Sequence, residues 1–229
     1  MEAAAIRKSY GKKKVLTDVS FVAGKGKCTG FIGANGCGKS TLFKILAGVE
    51  GWDGGSISIN GRVLTKPLSE LPRYVGYIPQ ENALMPELSV RDNLRLFAAL
   101  NKEKTDAKQI EELCSRFSIK EFEKERVGKL SGGMKKRVNI VCALLGRPQI
   151  LIMDEPSAAL DLVFKEELKG YIDSFKKAGG CVLLSSHDQG EIQLCDSLYA
   201  IREGIAVPVE KGLSVQEMVA EYMEAKSDM

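Results

Sequence analysis

The chain has 229 residues, 44% of them hydrophobic and 28% charged, which suits a globular protein with ample core and excludes collagen-like, disordered and disulfide-scaffold classes. Its 33 basic and 30 acidic residues leave a net charge of +3, too small an excess to announce a nucleic-acid partner. The longest unbroken apolar run, Ile140 to Leu145, is far short of the ~18 residues of a spanning helix. The start of the chain carries Glu2 and no long apolar stretch, so no secretory signal is expected and a cytosolic setting is the default. The six cysteines, at 28, 37, 114, 142, 181 and 195, contain no C-x-x-C pair. They are expected to be reduced, mostly buried thiols that hold no metal.

In chain order, Lys27 to Ile32 reads as a β-prone run that meets a glycine-rich turn at Gly33 and then a helix from about Lys39 to Ala47. Ser56 to Ile59, closed by Asn60-Gly61, looks like half of a hairpin. Residues 74 to 79 form another short strand ending at Gln80. Ser89-Val-Arg-Asp92 has the spacing of a capping box. Val90, Leu94, Phe97 and Ala98, and then Ile110, Leu113, Cys114 and Phe117, recur at helical spacing. Residues 85 to 145 are therefore expected to form a helical subdomain inserted into one domain spanning 1–229. Ile150 to Met153 and Cys181 to Leu184 are continuous apolar runs of the kind found in a parallel sheet covered on both faces. A helix is predicted over about 160 to 177, and a last amphipathic helix over Ser214 to Lys226.

The most specific signal is Gly33-Ala-Asn35-Gly36-Cys37-Gly38-Lys39-Ser40, which matches G-x-x-x-x-G-K-S between a predicted strand and a predicted helix. Glycines at 33, 36 and 38 let backbone N–H groups curl around phosphate oxygens, the helix start adds favourable partial charge, and Lys39 neutralises terminal phosphates. Ser40 then ligates Mg²⁺ through its hydroxyl. The run Ile150 to Met153 delivers Asp154 and Glu155 to the C-terminal end of a strand, the edge at which parallel α/β sheets bind ligands. There Asp154 suits the Mg²⁺ shell and Glu155 suits a base that polarises water. Asn101-Lys-Glu-Lys104 is half of a guanine-reading motif, with lysine where an acid must pair with the base, so GTPase chemistry is rejected.

Leu130-Ser131-Gly132-Gly133-Met134-Lys-Lys-Arg137, after the phosphate loop and before Asp154-Glu155, makes the chain resemble the nucleotide-binding subunit of an ATP-binding cassette (ABC) transporter over roughly residues 6 to 205. The resemblance implies a P-loop NTPase core, α/β, with a mixed sheet flanked by helices, a small antiparallel β subdomain and the helical insertion. It makes Tyr10 the ring stacked on adenine and adds Asn35, Cys37 and Thr41 to the nucleotide loop. Gln80 becomes the residue sensing Mg²⁺ and the attacking water, and His187 the switch histidine. Ser131, Gly132 and Gly133 then act on the partner subunit's ATP, and Ser157 to Asp161 cross the dimer interface. ATP and Mg²⁺, a second cassette and integral membrane permease subunits are the implied ligands and partners. The implied location is the cytoplasmic face of the membrane.

Met134 in place of the glutamine common in importers resembles the exporter branch, and with a short C-terminus no added regulatory domain is expected. A soluble assembly ATPase and a non-catalytic nucleotide-dependent subunit are the alternatives, and the intact Lys39, Asp154, Glu155 and His187 weigh against the second. Leu84, Met85 and Leu88, between the Gln80 loop and the helical insertion, are expected to be exposed for a membrane partner's cytosolic helix.

Overall fold

The computed structural model describes residues 1–100, 106–157, 160–210, 213, 215–218 and 221–222. The Asn101 to Lys104 stretch, Ala158, Ala159 and most of the predicted tail helix lie outside them. In chain order the strands are β1 (Glu2–Tyr10), β2 (Lys13–Val22), β3 (Cys28–Ile32), β4 (Gly54–Ile59), β5 (Arg62–Val63), β6 (Val75–Ile78), β7 (Ile150–Asp154), β8 (Cys181–Ser185), β9 (Ser197–Arg202) and β10 (Ile205–Pro208). The helices are α1 (Lys39–Leu46), α2 (Pro67–Glu70), α3 (Val90–Leu100), α4 (Ala107–Arg116), α5 (Gly132–Leu144), α6 (Leu162–Lys177), α7 (Gln189–Ile192) and α8 (Val215–Met218).

All ten strands join one mixed sheet in the order β5-β4-β1-β2-β10-β9-β3-β8-β7-β6. From β9 through β3, β8 and β7 to β6 the pairing is parallel, whereas β1, β2, β4 and β5 pair antiparallel. The side-chain period of two divides the central strands between two cores. Ile150, Ile152, Cys181 and Leu183 face α1 and the antiparallel strands in one core, while Leu151, Met153, Val182 and Leu184 face α3 to α6 in the other. Both faces are covered, which is why these strands are apolar at every position and not alternating. Phe21, Phe31, Phe43 and Tyr199 stack edge and face in the first core, and Phe117, Phe164 and Tyr171 fill the second.

The helical region opens as its residues dictate. The Ser89 hydroxyl accepts from the Asp92 N–H at 3.1 Å and donates to the Asp92 carboxylate, and Asp106 caps α4 by accepting from the Gln109 N–H at 2.7 Å. The expected exposure of Leu84 does not hold. Met85 and Leu88 are exposed, but Leu84 is buried in the core shared by Val90 and Leu94. The cause is Asn93, which accepts from the Met85 N–H at 2.8 Å and donates to the Met85 carbonyl at 3.0 Å. That double bond between side chain and backbone folds the segment onto α3 and turns Leu84 inward. Among the described residues no helix is long and apolar enough to cross a membrane. Cysteines 28, 114, 142 and 181 are buried, and 37 and 195 are partly exposed.

Candidate nucleotide site

The C-terminal ends of β3, β6, β7 and β8 deliver the candidate residues to one edge of the sheet. A cleft of about 710 Å³ there is lined by Tyr10, Lys13, Val15, Asn35, Gly36, Gly38, Lys39, Ser40, Thr41, Gln80, Glu155 and His187. Gly38 caps α1 with φ +114, and a Cβ there would lie 2.8 Å from Leu16, so only glycine allows the loop both its turn and its packing. Lys39 is only 6% exposed, and its ammonium donates back to the Gly33 and Ala34 carbonyls at 2.7 and 3.2 Å. Its charge therefore sits inside the curl of the loop. Gly33 and Cys37 stand behind the cleft lining, with the Cys37 thiol 3.9 Å from the Lys39 ammonium.

Across the cleft, Glu155 is bracketed. Gln80 Nε2 donates to one carboxylate oxygen and His187 Nε2 faces the other, both at 3.4 Å. Glu155 adopts φ +47, a left-handed backbone that costs a non-glycine residue about 1–3 kcal/mol. Its N–H is held by the Ser185 carbonyl at 3.1 Å and the Ser185 hydroxyl at 3.3 Å. Asp154, 2% exposed, accepts from the same Ser185 hydroxyl through Oδ1, and its Oδ2 has no hydrogen-bond partner among the described residues. A buried carboxylate oxygen left without a donor is costly and is suited to a hard divalent cation with oxygen ligands. The residues present fit Mg²⁺.

His187 is fixed from both sides. Asp188 caps α7 by accepting from the Gly190 and Glu191 N–H groups and pairs with Lys165 at 3.0 Å. The Ser186 hydroxyl donates to the buried Glu191 carboxylate, which also binds Ser157. Burial pushes the Glu191 carboxyl up from its ordinary range against the pull of those two hydroxyls. Tyr10, half-exposed at the end of β1, donates its hydroxyl to Glu50 and carries the Lys8 ammonium 5.0 Å from its ring centre. Burial and the Glu50 hydrogen bond raise the Tyr10 phenol.

Ser131, Gly132 and Gly133 are not among the residues lining this cleft. Ser131 caps α5, accepting from the Met134 N–H at 3.2 Å. Asp161 caps α6 and pairs with Arg137 at 2.8 Å.

Residues 16–158 match the model of the ABC transporter family. The chain belongs to that family. The linearmycin resistance ATP-binding protein LnrL of Bacillus subtilis (strain 168) is 32% identical over 214 residues, covering 91% of this chain and 68% of that one. A solved ATP-binding subunit of an ABC transporter superposes with a TM-score of 0.86 at 30% identity, covering 96% of this chain and 98% of its own. A dimeric cassette in a post-hydrolysis state, bound to ADP and Pi, has the same fold with a TM-score of 0.83 at 22% identity. This cassette is thus an ATP-binding ATPase subunit of an ABC transporter.

Several residues of the cassette's site carry no motif of their own. Lys13 and Val15 enter the cleft from β2, and the only trace of them is the basic run Lys12-Lys13-Lys14. Ser185 and Glu191, which hold Asp154, Glu155 and the turn before His187, are ordinary residue types whose roles arise from packing between loops distant in sequence.

Proposed function

We propose that the cassette hydrolyses ATP in the cleft between Lys39 and Glu155, and that the cycle drives substrate export through separate membrane subunits. The observation that carries the chemistry is the Glu155 carboxylate held between Gln80 and His187, 3.4 Å from each, at the mouth of the phosphate loop. Glu155 accepts a proton from the attacking water, Gln80 orients that water, and His187 aligns it with the γ-phosphate. Lys39 leaves the Gly33 and Ala34 carbonyls for the terminal phosphates, Tyr10 takes the adenine face, and Asn35 to Thr41 cradle the phosphate chain. Asp154, Ser40 and Gln80 would hold Mg²⁺, which when bound would neutralise phosphate oxygens. Catalysis of this type comes from positioning and charge stabilisation.

Ser131, Gly132 and Gly133 stand at the start of α5, outside their own subunit's cleft, where a helix leaves its first N–H groups without intrahelical acceptors. A helix start of this kind binds phosphate, and we assign it to the ATP of a second cassette, with Asp161 at the shared face. The exposed Met85 and Leu88 receive a permease helix at the inner face of the membrane. The exporter direction rests on Met134-Lys-Lys-Arg137, the departure from the importer pattern.

Glu155→Gln tests the assignment. The account expects Mg-ATP turnover to fall on the order of 10²-fold or more while ATP binding measured by calorimetry persists. Wild-type turnover in that variant would remove Glu155 from the base role.

A further inference from the structure

Lys136 is the buried cation that the assignments above leave without a task. It lies in the second turn of α5, 3% exposed, and its ammonium donates at 2.9 Å to the carbonyl of Pro79, the residue before Gln80. Burial pulls its pKa below the ordinary lysine range, and the carboxylates of Asp154, Glu191 and Glu155 hold it up in part. Burying an ammonium is expensive, and an unbranched apolar side chain of similar length fills the same space at no such cost. Stability alone gives no reason for a lysine here.

The same helix touches β6, the strand that leads into Pro79, at a second point. A Cβ at Gly76 of β6 would lie 2.2 Å from the carbonyl oxygen of Ala143 in α5, so the two backbones meet directly. From Lys136 to Ala143 the helix rises about 10 Å, and from Gly76 to Pro79, one residue past the strand, extended chain advances about 10 Å. Helix and strand are therefore pinned at two matched points, one beside Gln80 and the other at the far end of the contact. The start of α5, with Ser131 to Gly133, lies little more than one turn before Lys136 and shares that frame.

We propose that Lys136 is a positioning residue for hydrolysis: its ammonium holds the Pro79 carbonyl, sets where Gln80 stands against Glu155, and ties that placement to the Ser131–Gly133 end of α5. The proposal rests on the assignment of Gln80 to the attacking water. Lys136 is not among the residues lining the cleft.

A double-mutant cycle with Gln80 tests it. Lys136→Met is expected to lower kcat on the order of 10-fold, leave the ATP Kd within about 2-fold, and leave Tm unchanged or raised. Lys136→Arg, which keeps a cationic donor, is expected to recover much of the loss. The double variant Lys136→Met with Gln80→Ala should be no more than about 2-fold slower than Gln80→Ala alone, because both remove one arrangement. Should Lys136→Met fail to fold, Lys136→Gln, polar but too short to reach Pro79, carries the same test. Wild-type turnover in the folded Lys136 variant, losses that multiply in the double variant, or a fall in ATP affinity matching the fall in kcat overturns the proposal alone. Wild-type turnover in Gln80→Ala overturns the Gln80 assignment and the proposal with it.

Discussion

His187 is the only histidine in the chain, and its neighbours are already committed: Ser186 to Glu191, Asp188 to Lys165 and the start of α7. Its imidazole alone is left to face Glu155 and the cleft. A group that aligns water and γ-phosphate acts in the transition state more than in the ground state. His187→Ala is therefore expected to lower kcat on the order of 10²-fold while the ATP Kd, by calorimetry, moves less than about 3-fold. A folded variant that loses melting temperature yet hydrolyses ATP normally would show that His187 only fills a strand end. Lys39, Ser40, Asp154 and Glu155 were legible in the sequence because their spacing is set by a strand, a loop and a helix that are contiguous in the chain. Lys13, Ser185, Glu191 and Lys136 were not, since each meets its partners only after the sheet has brought separate loops together.

At the scale of elements, β3 depends on a fastening distant in sequence. Asp196, in the turn before β9, accepts from the Cys28 N–H at 2.8 Å and pairs with Lys176 at 2.9 Å and Lys27 at 3.2 Å, while its own N–H donates to the Cys28 carbonyl at 2.7 Å. Burial opposes its ionisation, but the Cys28 N–H and the Lys176 and Lys27 ammoniums outweigh it and hold the carboxyl at about 2, below the ordinary 3.8. A carboxyl depressed in the folded state stabilises above its unfolded pKa and loses that contribution as pH falls through the folded value. Asp196→Asn is expected to cost about 1 kcal/mol at neutral pH, the ion pairs being partly screened by water. The gap in thermal stability between wild type and variant should hold down to about pH 4 and close towards about pH 2. A gap independent of pH would assign the effect to packing.

The central elements followed directly from the residues: the runs at 150–153 and 181–184 are β7 and β8, and the capping box at Ser89 opens α3. The antiparallel strands were harder to see. β1 shifts register against β2 at three places, which breaks the alternation a strand needs to be legible, and β5 has only two residues. β9 and β10 carry mixed burial because they sit where the parallel and antiparallel halves join. Leu84 misled because an apolar residue in a loop reads as exposed, whereas Asn93 folds that loop inward.

For the whole molecule, the proposed reading divides labour between subunits. The cleft of one cassette holds the phosphate loop, Gln80, Glu155 and His187, and the start of α5, with Ser131 to Gly133, stands outside it, available to the nucleotide of another copy. In the proposed cycle, closure on ATP uses the binding energy of two nucleotides and hydrolysis releases it, which would give membrane subunits two states to follow. The fold carries both of the faces that this proposed cycle needs. The most direct measurement is sedimentation velocity of the purified Glu155→Gln subunit with Mg-ATP or Mg-ADP. The account predicts an ATP-dependent dimer retaining two ATP molecules and a monomer with ADP, with Ser131→Arg abolishing the dimer while each subunit still binds ATP. A Glu155→Gln subunit that binds ATP at full stoichiometry yet stays monomeric at every accessible concentration would contradict it.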